Sequence, residues 1–241
     1  MTHLRRPSRV RLISTKEHDI SYGVRLHVWA SYGLFTRPEL KVERVSYDAM
    51  TPSAARGVLE AVHWKPAISW VVDRIHVLKP VRFASIRRNE VGHKAPVGRI
   101  RAAMKSGDVS DLALRVDQDR QQRAATVLVD PAYVIEAHFE MTSQAGPDDT
   151  EGKHLDIFNR RARRGQCFHR PSLGTREFAA DFALIEPGAP LPPAIPETRD
   201  LGLMLWDIDH AAPGKPSMFF RAAMQDGVID VPAPGSAEVL R

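Results

Sequence analysis

Cysteine is nearly absent. Cys167 is the only one in 241 residues, so no intramolecular disulfide can form and a cysteine-rich zinc site is excluded. A reducing cytoplasm suits such a chain. No apolar run approaches the roughly 20 residues that a membrane-spanning helix needs. The N-terminal stretch MTHLRRPSRVRLISTKEHDIS is basic but lacks the apolar segment of a secretory signal, and residues 1–20 read as a loose leader. No segment repeats at a fixed period. What is present is an ordinary globular composition, 43% hydrophobic and 26% charged, long enough for one large domain or a domain with a smaller one attached. A net charge of +5 and a pI near 9.5 suit an anionic partner, although mildly basic soluble proteins are common.

Residues 24–30, VRLHVWA, alternate strictly and predict a strand. Val24, Leu26, Val28 and Ala30 face a core. Arg25, His27 and Trp29 face the other way, where they could stack RNA bases or lie beneath another element. In TPSAARGVLEAVHWKP, 51–66, Thr51 caps a helix, Pro52 takes its first position, Ala54, Val58 and Val62 line one face, and Pro66 stops it. AISWVVDRIHVLKP, 67–80, predicts a strand. Residues 81–123 are polar and positive, with Arg87 and Arg88 near the start, and predict a basic hairpin insert. A long strand over 124–141 is broken at Asp130-Pro131, with Tyr133, Ile135, Ala137 and Phe139 on one face. Thr150 caps a second helix whose Leu155, Phe158 and Ala162 face inward, and Gly165 ends it.

A strand over 177–185 follows, then a proline-dense linker over 187–200, then two or three antiparallel strands with turns at Pro213-Gly214 and Asp226-Gly227. The fold class is therefore α+β. A ferredoxin-like or RRM-like domain with an antiparallel sheet spans 21–186, and a linker with a small C-terminal antiparallel sheet spans 187–241. That fold hosts enzymes and binding proteins alike.

Residues 151–164 read EGKHLDIFNRRARR. Lys153 and His154 stand side by side, and Arg160, Arg161, Arg163 and Arg164 follow. Arginines in a last helical turn complement the helix dipole without any ligand. Chemistry on an anion that they hold is the other reading. DIDH, 207–210, offers Asp207, Asp209 and His210 to a divalent ion, or to nothing more than a strand and its turn.

The stretch 31–83, with TPSAARG and HWKPAI, then EGKH at 151–154 and LGTREF at 173–178, resembles in that order the CRISPR-associated Cas-five family, subtype I-C, also called the d or Dvulg subtype. The resemblance runs from about Gly23 to the final strands. It implies an RRM-like domain of the repeat-associated RNA-binding superfamily with a small C-terminal sheet. It also implies a metal-independent endoribonuclease that recognises the CRISPR repeat hairpin and cuts precursor CRISPR RNA at its 3′ base. Such a protein stays on the 5′ handle, beside the backbone and large subunits of the type I-C interference complex (Cascade). Some binding to double-stranded DNA is implied as well. Relatives outside the subtype only grip the handle, so a non-catalytic scaffold is the alternative.

The family's lysine-histidine pair falls on Lys153 and His154. Its aromatic residue ahead of Trp-Lys-Pro falls on His63, where this chain has histidine in place of tyrosine. RNA supplies its own nucleophile, the 2′-OH, so a base, a cation and an acid suffice and no metal or other cofactor is called for. Lys153 would clamp phosphate, with His63 and His154 as base and acid in either order. The RNA-binding candidates are Arg25, Trp29, Trp64, Lys65, Arg87, Arg88, Arg160, Arg161, Arg163 and Arg164, of which the last four would hold the backbone and Trp29 or Trp64 would stack a base near the cut. The geometric requirement is that the end of the first helix meet the start of the second.

Overall fold

The computed structural model describes residues 23–241 apart from positions 41, 95, 111 and 114, so the leader expected over 1–20 lies outside the described residues. The elements are β1 (Val24–Trp29), β2 (Tyr32–Gly33), β3 (Arg44–Val45), α1 (Pro52–Val62), β4 (Ile68–Val77), β5 (Phe83–Val91), α2 (Val97–Ser106), β6 (Arg120–Val129), β7 (Ala132–Met141), α3 (Glu151–Arg163), β8 (Asp181–Leu184), β9 (Arg199–Ile208), β10 (Ser217–Gln225) and β11 (Val228–Asp230).

The alternation in β1 survives folding: Val24, Leu26 and Val28 are buried and the residues between them half-buried. β1 pairs antiparallel with β7 on one side and β8 on the other. β4 lies outside β7, also antiparallel. The central sheet thus runs β8-β1-β7-β4, reached through a β-α-β-β-α-β chain path in which α1 and α3 are the crossovers. Tyr133, Ile135, Ala137 and Phe139 of β7 share one core with Leu26, Val28, Leu59, Val62, Phe158 and Ala162, so both helices cover the same sheet face.

α1 begins as the sequence predicts, with Thr51 Oγ1 accepting from the Ala54 amide at 3.3 Å. Its buried stripe is Ala55, Val58, Leu59 and Val62, and Ala54 sits only at the edge. That is the i, i+3, i+4, i+7 set of a helix lying flat on a sheet. The helix ends at Val62, before Pro66. His63 still donates its amide to Leu59 but turns extended, because Lys65, next to proline, disfavours helical backbone.

The insert is more ordered than its composition suggests. β5 and β6 form a nine-pair antiparallel ladder, with α2 between them in the chain. β6 also pairs with β2 and, in parallel, with β3, which makes a second sheet. Hydrophobic alternation is masked here because Arg88, Arg123 and Arg44 gather around Glu90 where apolar side chains would otherwise stand.

Two expectations change. The strand predicted over 177–185 is only Asp181–Leu184. Its first residues are diverted: Glu177 pairs with Arg88, and Phe178 packs on Leu34, Ala125 and Val127. The C-terminal strands do not form a sheet of their own. β11 pairs with β4 through Ile229 opposite Ile75, and β10 and β9 continue outward, so the central sheet has seven strands. The turn into β11 needs left-handed backbone at Asp226 and Gly227. A side chain at Gly227 would stand 2.3 Å from the Ile195 carbonyl oxygen. No helix among the described residues is long and apolar enough to cross a membrane.

Candidate active site

The end of α1 meets the start of α3. His63 leaves α1 toward the core and His154 enters it from the first turn of α3; both are 1% exposed. His63 Nε2 lies 3.0 Å from His154 Nδ1, a hydrogen bond between two rings from residues 91 apart in sequence. Three features hold this meeting. Trp70 donates its indole N–H to the His63 carbonyl at 2.8 Å. Trp70 in turn packs on Phe139 and Phe158. Thr150 caps α3, its Oγ1 accepting from the Lys153 amide at 3.2 Å.

Burial pushes the His63 imidazole down to about 4, helped by the positive charge of Arg161, by the neighbouring His154 ring and by Lys65. His63 is therefore neutral at neutral pH. The outer nitrogens of the pair, His63 Nδ1 and His154 Nε2, are buried without a hydrogen-bond partner among the described residues. Lys153 lies at the surface, 46% exposed, with Nζ 3.1 Å from the Asp148 carbonyl oxygen and 3.3 Å from Asp149 Oδ1. That same Oδ1 is 3.3 Å from His154 Nε2, although not aligned for a hydrogen bond. Gly146 donates its amide to the other oxygen of Asp149, and this bond, with Lys153, holds the carboxyl below the usual range. Asp149 was not singled out in the sequence; the one signal was an acid two residues before EGKH.

The cationic candidates divide by what they already hold. Arg161 donates to the Val62 carbonyl at 2.9 Å, tying α3 to the last turn of α1. Arg163 grips Glu186 through Nε and Nη2 at 2.6 and 2.7 Å. Arg88 is engaged by Glu90 and Glu177. Arg25 is half-buried, with Nη1 3.4 Å from the Ala189 carbonyl oxygen. Lys65, Arg87, Arg160 and Arg164 are exposed. Trp64, next to His63, is 55% exposed, whereas Trp29 is half-buried with its ring 4.6 Å from that of His27. Phe168, which the sequence reading passed over, is 88% exposed while its amide bonds the Ala61 carbonyl of α1.

The DIDH carboxylates have other work. Asp207 takes both Nε and Nη2 of Arg56 at 3.0 Å, and Asp209 accepts the amides of Ala211 and Ala212. Among the described residues no group of three or more His, Cys, Asp or Glu is placed to hold a metal ion.

A family model for Cas5d, described as CRISPR-associated protein (Cas_Cas5), matches residues 23–232. The chain belongs to the Cas5d family. Two curated Cas5d relatives carry the name CRISPR pre-crRNA endoribonuclease. The one from Mannheimia succiniciproducens is 57% identical over 222 residues, covering 90% of this chain and 98% of its own. The one from Thermus thermophilus is 38% identical over 239 residues, covering 90% and 95%. Two solved structures have the same fold as this Cas5d chain. One, described as that of a CRISPR-associated protein, matches with a TM-score of 0.63 at 22% identity and covers 91% of this chain and 96% of that one. The other, a functionally uncharacterized protein from Streptococcus mutans, has a TM-score of 0.60 at 21% identity and covers 91% and 97%.

Proposed function

We propose that the chain is a metal-independent endoribonuclease that cuts precursor CRISPR RNA at the 3′ base of the repeat hairpin. The observation that carries this reading is the contact of His63 with His154 beside the surface cation Lys153. The curated relatives' name, pre-crRNA endoribonuclease, supports the substrate. The β-α-β-β-α-β path supports the ferredoxin-like or RRM-like assignment. After cutting, the protein keeps the 5′ handle and takes its place in the type I-C Cascade with backbone and large subunits. The surface cations also permit double-stranded DNA to bind.

The chemistry needs one proton removed and one supplied. The 2′-oxygen attacks the adjacent phosphorus as its proton passes to one histidine. The bond from phosphorus to the 5′-oxygen breaks, and that oxygen takes a proton from the other. The products are a 2′,3′-cyclic phosphate and a 5′-OH. Lys153 offsets charge on the phosphorane, Trp64 stacks a base, and Lys65, Arg160 and Arg164 hold the backbone. His63, neutral at neutral pH, is the base in this reading and His154 the acid. Both rings lie beneath the surface, so RNA has to uncover them as it docks.

That same burial favours a second reading, a handle-gripping scaffold in which the histidine pair only joins α1 to α3. Cognate repeat RNA with excess EDTA separates the two. The expected result is cleavage by the wild type that leaves a 5′-OH, with cutting lost but binding kept in Lys153→Ala and His154→Ala. Tight binding by the wild type with no cleavage would establish the scaffold instead.

A further inference from the structure

We infer that Asp149 is a positioning residue: its carboxylate fixes the tautomer of His154 and, through the His63–His154 hydrogen bond, leaves His63 Nδ1 as the nitrogen open to a proton. The inference deepens the ribonuclease reading above and takes its substrate from it. Asp149 is held from both sides, by the Gly146 amide at 3.1 Å on Oδ2 and by Lys153 Nζ at 3.3 Å on Oδ1. Oδ1 also lies 3.3 Å from His154 Nε2, within reach of its charge although off the line of a hydrogen bond. A bare nitrogen lone pair set against a carboxylate oxygen at that range is repulsive, whereas an N–H is attracted to it. Nε2 therefore carries the hydrogen.

The rest follows from the valence of imidazole. A neutral ring has one N–H, so His154 Nδ1 is an acceptor. Its partner at 3.0 Å, His63 Nε2, must then be the donor. The remaining nitrogen, His63 Nδ1, is left with a lone pair, and it is buried with no hydrogen-bond partner among the described residues. Here the carboxylate acts on the tautomer through its charge, as a hydrogen bond to the other ring nitrogen commonly does elsewhere.

The arrangement also moves charge. When His63 Nδ1 accepts a proton from the 2′-OH, His63 Nε2 can release its own to His154 Nδ1. One proton has entered the pair, His63 is neutral again, and the positive charge sits on His154. That moves it from the ring disfavoured by Arg161 and Lys65 to the ring beside Asp149. A ring that resists protonation can thereby serve as the point of proton entry.

Wild type, Asp149→Asn and Asp149→Glu are compared on repeat RNA in EDTA, with rate and affinity measured separately. The ring nitrogens of the wild type and variants are read by ¹⁵N NMR. Asparagine can turn either an oxygen or an NH₂ toward the ring, so it no longer selects one tautomer. Asp149→Asn should bind RNA within about twofold of wild type and cut about 10-fold more slowly, part of the roughly 100–10,000-fold that a placed acid or base supplies. Asp149→Glu should recover part of the rate. Wild-type spectra should show the hydrogen on Nε2 of both rings. Wild-type spectra with it on Nδ1 of either ring overturn the inference, and so does wild-type cleavage by Asp149→Asn. A wild type that does not cut removes the ribonuclease reading instead, and the spectra then decide the role of Asp149 alone.

Discussion

Burial sets the protonation of His63 before any RNA arrives. The ring is held near 4 in the folded chain against 6.5 as its ordinary value, so between those limits the unfolded chain binds more protons than the folded one. Stability from this residue is then complete above about pH 6.5 and is lost as the pH falls toward about 4. A shift of that size corresponds to on the order of 3 kcal/mol. Urea unfolding of wild type and His63→Gln at about pH 7.5 and about pH 4.5 would measure it. The stability advantage of wild type over the variant should shrink as acid is added; an advantage that stays constant would mean that His63 does not titrate so low. His63 and His154 could be named from motifs, but their burial could not, because Lys-His beside a run of arginines reads as surface. Asp149 was hidden for the opposite reason. An acid in the polar loop SQAGPDDT looks like solvent-facing filler until the fold brings its oxygen to His154.

Two helix caps of the same chemistry stand in different places. Thr51 caps α1 far from the histidine pair, and Thr150 caps the turn that carries Lys153 and His154. Replacing either by alanine should cost about 1 kcal/mol of stability, read as a similar fall in the urea midpoint. Only Thr150→Ala should also slow cleavage several-fold, because fraying of the first turn of α3 loosens the lysine and the outer histidine together. Equal activities in the two variants would show that the turn stays in place without its cap. Both helices were legible because caps, prolines and glycine punctuate them. The hairpin over 81–123 was expected from its composition, but the extent of the β5–β6 ladder and the helix α2 within it were not, since Arg88, Glu90 and Arg123 form ion pairs on a face where a strand pattern is sought in hydrophobic residues. β8 was over-read because FAADFAL alternates well beyond the four residues that pair.

Across the whole molecule, the proline-dense segment suggests a boundary that the hydrogen bonding does not respect. Three C-terminal strands continue the central sheet through β11 on β4, and Leu201, Met204, Phe220, Met224 and Ile229 belong to the same buried cluster as Leu26, Leu59 and Phe158. Pairing of β11 with β4 could not be read from the sequence, because three residues, Val228–Asp230, carry too little pattern to name their neighbour. Chains that share one core and one hydrogen-bonded sheet unfold together. A single transition in urea is therefore expected, with fluorescence of Trp70 under α1 and of Trp206 in β9 changing at the same midpoint in variants that keep only one of these tryptophans. Deleting 187–241 would bare the β4 edge and strip apolar cover from its neighbours, and a long unpaired edge favours aggregation. The truncated chain should be insoluble or molten. Two separated transitions, or a soluble and cooperatively folded 21–186 fragment, would show instead that the linker divides two independent folding units.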